Sequence, residues 1–142
     1  MDKKPFPFTL GWHPYFMSSE LDNSSLNFKS NTKFLFDNQQ IISGKTTINE
    51  TMPHSLKNVT LDDAYSLEEN SIEFSIPLYE IKIESSSRGN LLQLYTPNQY
   101  NCIAIEPMTG ACDSFNNKIG LQMLESGNNY KVEWKVCIKT YN

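Results

Sequence analysis

The most regular stretch of the chain is its last. Over 129–141, Tyr130, Val132, Trp134, Val136 and Ile138 alternate with Lys131, Glu133, Lys135, Cys137 and Lys139. A period of two over that length predicts one strand with one face in a core and one in water. Shorter alternations precede it. Ile72, Phe74 and Ile76 alternate with Glu73 and Ser75, and Ile81 and Ile83 alternate with Lys82 and Glu84. Residues 71–87 therefore read as two half-buried strands broken at Pro77. SSSRGN then forms a turn and LLQLYTP returns as a strand, on which Gln93 and Tyr95 share a face. Asn101 to Glu106 follows as the next strand. Consecutive strands with short turns predict a meander or sandwich.

The first half is less regular. SLNFKS and TKFLFD show brief alternations. Residues 38–54 are rich in Thr, Asn and Gln and read as a loop, with one short strand near Gln40 to Ser43 and a solvated His54. Residues 120–127 read as a turn and a short strand, although QMLE also suits a helical turn. At the N-terminus, Pro5 and Pro7 exclude a helix interior. The segment reads as an extended edge running into a loop that presents Trp12 and His13, with Pro14 holding His13 extended. No segment has a convincing helical period. The expected fold class is all-β, an antiparallel β-sandwich forming a single domain over 1–142.

Composition narrows the function. With 39% hydrophobic and 20% charged residues, the chain is globular rather than disordered. The net charge is -4 and Arg88 is its single arginine, so no basic stripe for nucleic acid or polybasic membrane patch is present. No apolar run approaches a membrane span, and MDKKPFPF lacks the apolar core of a signal peptide. Cys102, Cys112 and Cys137 are odd in number and spaced for neither a disulfide framework nor zinc. They read as reduced thiols of a cytoplasmic protein. The sequons at Asn23, Asn49 and Asn58 read as chance.

Three places carry candidate chemistry. Glu106 is read as the last residue of its strand, cut off by Pro107 and followed by Gly110, Asp113, Asn116 and Asn117. A carboxylate so placed faces a cleft from a rigid element. His13 lies between Trp12 and Tyr15. By residue type alone this is an aromatic plug around a packed histidine. Rings beside a polar residue also suit a sugar site, where apolar sugar faces stack. Asp62 and Asp63 lack the further oxygen ligands of a cation cage. From spacing a turn is favoured, and the alternative is one aspartate accepting hydrogen bonds from sugar hydroxyls.

Taken in order, LGWHPYF at Leu10 to Phe16, LDDAY at Leu61 to Tyr65, and LQLYTP followed by IAIEPMTGACDSFNN resemble the aldose 1-epimerase (galactose mutarotase-like) family. GLQMLESGNNYKVEWKV resembles that family's closing strand. The resemblance implies a large antiparallel β-sandwich with a monosaccharide, a hexose, in a cleft on one sheet face. It implies Glu106 as general base, His13 as general acid and Asp62 as a binder of sugar hydroxyls, with Asp63 a weaker alternative. Trp12 and Gln93 join Asp62 as expected substrate contacts. No metal and no redox cofactor is implied.

The resemblance covers the family's C-terminal half only. The N-terminal half, which supplies an arginine and a further histidine to the sugar, has no counterpart, and Arg88 does not match. The expectation is a short member, a fragment of a longer product or half of an assembly. A half sandwich exposes apolar face and strand edge, which predicts a homo-oligomer or a partner chain completing the sheet. Three functions follow: anomer interconversion, carbohydrate binding without turnover, and a truncated product acting by association alone.

Overall fold

The computed structural model describes residues 4–48, 54–87, 90–98 and 101–141. Eleven strands dominate it: β1 (Phe6–Phe8), β2 (Tyr15–Met17), β3 (Ser25–Phe36), β4 (Ile42–Thr47), β5 (His54–Ser55), β6 (Asp62–Ser75), β7 (Tyr79–Ser85), β8 (Leu91–Tyr95), β9 (Cys102–Met108), β10 (Gln122–Leu124) and β11 (Trp134–Thr140). Among the described residues, helix is confined to a 3-10 turn at Leu21–Asn23 and a single turn, α1, at Ser114–Asn117. Every strand pairing is antiparallel. Among the described residues no helix is long and apolar enough to cross a membrane.

The long strands β3 and β6 form a spine, paired from Ser25↔Ser75 to Lys33↔Tyr65. The other edge of β6 is shared. Asp62 to Ser66 pair with β8, whereas Ser71 to Ser75 pair with β7. The β3–β6 register slips twice between Phe28 and Thr32, where β6 changes partners. Such slips bend a strand, and here they fold one sheet into two layers. β7 and β11 extend the first layer; β8, β9 and β2 extend the second.

The layers close on one apolar core. Ile72, Phe74, Ile81 and Ile83 of the first meet Leu92, Leu94, Ile103 and Ile105 of the second, all at most 3% exposed. Phe16 packs on Phe74 with ring centroids 6.5 Å apart, and Trp12 stacks on Trp134 at the same separation. The Tyr79 hydroxyl donates to the Met17 carbonyl at 2.7 Å, tying β7 to β2. Beside the sandwich, β1 and β10 form a two-stranded ribbon.

Several local expectations need correction. β9 runs through Pro107 to Met108 rather than stopping at Glu106. β7 and β8 are not a hairpin; both flank β6. Asp62 and Asp63 open a fourteen-residue strand instead of forming a turn. The segment after Asn38 holds a six-residue strand, β4, because Asp37 Oδ1 accepts from the backbone N–H of Gln39 and Ile41 and closes a tight turn with β3. His54 is half-buried and stacks on Phe28 at 5.4 Å rather than standing in water. The last strand starts at Trp134, since its partner β7 ends opposite at Ser85. Tyr130 instead packs edge-on against Phe8 at 5.0 Å. Arg88, Asn49 and Met1 lie outside the described residues.

Candidate active site

β2 lies along the outer edge of β9 with Tyr15↔Ala104, Phe16↔Ile103 and Met17↔Cys102 opposed. The same register continues upstream of β2. Gly11 bridges Met108, the Trp12 N–H donates to the Pro107 carbonyl at 3.2 Å, and Ile105 N–H donates to the Pro14 carbonyl at 3.3 Å. His13 therefore stands directly opposite Glu106. The ladder bonds fall on the flanking pairs, so His13 and Glu106 form a non-hydrogen-bonded pair. In such pairs the Cα atoms approach to about 4.5 Å and the side chains stand closest. His13 Nε2 lies 3.0 Å from Glu106 Oε1.

Two prolines shape this ladder. Pro14 and Pro107 each lack an N–H, so each flanking pair makes one bond where an ordinary pair makes two. Pro107 survives within β9 because its missing donor faces the short edge strand, where the ladder tolerates the loss.

The alternation of the sheet decides what joins the pair. Opposed residues share a face, so Ala64, Gln93, Glu106 and His13 form one row across four neighbouring segments. Asp62, Tyr95, Ala104 and Tyr15 form the next. Gln93 Nε2 donates to Asp62 Oδ1 at 2.9 Å, linking the rows. Asp63 points the other way. It pairs with Lys33 at 2.8 Å and accepts from the Tyr65 hydroxyl at 3.4 Å, on the core side of the layer. Of the two aspartates, the register puts Asp62 beside Glu106. Trp12 also falls on the core side, against Trp134, and the fold does not bring it to this face. His13, Glu106, Asp62 and Gln93 are brought together.

A cavity of about 440 Å³ opens over Glu106, Gln93 and Asp62, walled by Phe36, Met108 and Cys112 among others. That volume falls within the usual range for small-molecule sites. One wall is the turn after β9. Gly110 must be a glycine there, because a Cβ would meet Thr9 Cγ2 at 2.2 Å. Gly120 has φ +70 and a Cβ on it would meet the Thr109 carbonyl at 2.3 Å, so only glycine lets the turn close on itself. Asn117 holds the turn by donating to the Cys112 carbonyl at 2.8 Å and accepting from Ile119 N–H at 2.9 Å. Met108 in the cavity wall is not singled out by the sequence reading, and Tyr15, an aromatic neighbour of His13 in that reading, shares its face. Each stands two residues from Glu106 or His13, so strand alternation alone would have found them.

Glu106 is 8% exposed. Burial pushes its carboxyl above the usual glutamate range; His13 beside it pulls downward, and the charge of Asp62 adds to the rise. A buried carboxylate against an imidazole can exchange protons with a bound hydroxyl. Among the described residues no group of three His, Cys, Asp or Glu is arranged to hold a metal ion.

Solved structures share this architecture. The chain superposes with a TM-score of 0.83 and 17% identity on a protein of Escherichia coli K12 provisionally described as an aldose 1-epimerase, covering 99% of this chain and 53% of that one. A galactose mutarotase-like protein from Clostridium acetobutylicum gives a TM-score of 0.82 at 15% identity, with 98% and 49% covered. A protein of Synechocystis sp. PCC 6803 gives 0.81 at 22% identity, with 98% and 47% covered. The chain thus spans about half the length of each. These likenesses identify the fold as the β-sandwich of galactose mutarotase-like proteins. No curated protein matches the sequence significantly. The family model for aldose 1-epimerase matches residues 1–137, and the chain belongs to the aldose 1-epimerase family.

Proposed function

We propose that this face interconverts the α and β anomers of a free hexose, with Glu106 as base and His13 as acid. The contact of 3.0 Å between them carries the reading. The anomeric hydroxyl and the ring oxygen of an aldose are bonded to one carbon, so two groups that touch each other can reach both. Glu106 carboxylate takes the proton of the anomeric hydroxyl. Protonated His13 gives its proton to the ring oxygen as the bond from that oxygen to the anomeric carbon breaks. The electron pair of the former O–H bond becomes the second bond of the aldehyde. Rotation about the first carbon–carbon bond turns the aldehyde, and reclosure with both protons returned gives the other anomer.

The raised pKa of Glu106 suits this role, since a base titrating nearer neutrality accepts a proton more readily. Imidazole is suited to give and retake one. Asp62 and Gln93, already hydrogen-bonded to each other, would exchange that bond for sugar hydroxyls. The test is polarimetry of freshly dissolved α-D-glucose and α-D-galactose with wild type beside Glu106→Gln. Acceleration by wild type and its loss in the variant support the reading; no acceleration above the buffer rate opposes it.

Exposure favours a second reading, sugar binding without turnover. His13 is half in water and Asp62 is exposed, so the face as it stands excludes water poorly. Saturable monosaccharide binding without rate enhancement would select it. A partner chain or second copy adding strands would cover the face: among the described residues β2 pairs only with β9 and β11 only with β7. A clean monomer in size exclusion with light scattering opposes that association.

A further inference from the structure

The His13 side chain is 54% exposed and sits where Pro14 removes a ladder bond. Two side-chain contacts orient its ring. One is the 3.0 Å contact of Nε2 with Glu106. The other is the ring of Tyr15, with centroids 5.0 Å apart and planes tilted by 37°.

The first contact cannot persist through the reaction proposed above, on which this inference rests. The single N–H on His13 Nε2 that faces Glu106 in the free protein must there point to the ring oxygen of the sugar. The second contact can persist. Tyr15 lies two residues beyond His13 on the same face and is fixed in the ladder opposite Ala104, which is 0% exposed. Ala104 separates it from Tyr95 in the same row, and the small side chain leaves the Tyr15 ring free to lean toward His13. The Tyr15 phenol is raised above its ordinary value by partial burial, then by Glu106 and Tyr95, which agrees with a ring turned toward the site. Aromatic pairs hold defined relative orientations.

We propose that Tyr15 is a positioning residue, whose ring holds the His13 imidazole in place once a sugar displaces the contact between His13 and Glu106. Tyr15→Phe keeps the ring, and Tyr15→Leu keeps bulk without it. In anomer interconversion, Tyr15→Leu is expected to lower kcat about 10- to 100-fold with little change in KM, while Tyr15→Phe stays near wild type. A second readout needs no turnover. In a Glu106→Gln background, ¹³C relaxation of the labelled His13 ring should show lower order with Tyr15→Leu added and unchanged order with Tyr15→Phe. The chain has two histidines, so the signal lost in His13→Asn is assigned directly. A raised KM at unchanged kcat would make Tyr15 a sugar contact instead and overturn the proposal, as would equal ring order in all three backgrounds. If wild type does not interconvert anomers, the catalytic reading fails, and ring order still decides the role of Tyr15.

Discussion

Ile105 tests the two-layer packing on which the site depends. It is 0% exposed, lies opposite Leu94 in β8, and belongs to the core shared by both layers. Its neighbour Glu106 points to the other face, so Ile105→Ala empties core volume without touching the site. Replacing a buried isoleucine by alanine costs about 2–5 kcal/mol. β9 is flanked by β8 on one side and β2 on the other, which limits collapse into the void and favours the upper part, about 3–5 kcal/mol. At roughly 2–4 °C per kcal/mol for a chain near this size, the melting temperature should fall by roughly 6–20 °C. Urea denaturation followed by tryptophan fluorescence is a suitable assay, because the chain has two tryptophans and they stack across the layers. The midpoint should drop with the denaturant slope unchanged. A loss below about 1 kcal/mol would mean that the layers do not enclose Ile105, against the expectation for such a cavity.

Glu106→Gln should stabilise the fold increasingly as pH rises. Below the ordinary glutamate value of 4.5 both folded and unfolded chains are protonated there and the shift has no effect; above the raised folded value the wild type carries a charge that burial disfavours. Denaturation at several pH values should show the gap widening from acid to neutral pH, and a constant gap would contradict it. Asp62→Asn should weaken sugar binding at little cost to stability, whereas Asp63→Asn should cost about 1 kcal/mol by unpairing Lys33 and spare binding; calorimetry with a hexose and thermal melts separate the two. Gly120→Ala should destabilise by roughly 1–3 kcal/mol through a left-handed alanine and a clash with Thr109, and an unchanged melting curve would refute that.

Alternation carried much of the fold in advance. The apolar positions 72, 74, 81 and 83 do face the core, and the all-β class follows from the same period. What alternation leaves open is which face is which. Asp62 and Asp63 must point opposite ways, as must Trp12 and His13, but only pairing with β8 and β9 puts Asp62 and His13 on the face of Glu106. The aromatic company of His13 pointed to a sugar-stacking Trp12, and strand parity sends that ring into the core instead. Pro107 looked like a stop because proline removes a donor; whether a donor is needed depends on the neighbouring strand, which sequence does not display. The extended pattern from 129 continued past the end of its partner, since pairing length is set by β7 rather than by β11 alone.

The claim at the centre is that His13 and Glu106 act as one acid–base pair. Magnetisation exchange between the α and β anomeric protons of glucose and galactose at equilibrium measures it directly, in wild type, His13→Asn and Glu106→Gln. The expected result is exchange above the buffer rate in wild type and a loss of about 10²–10⁴-fold in the enzymatic rate with either substitution. Exchange in wild type that survives either substitution would contradict the pairing.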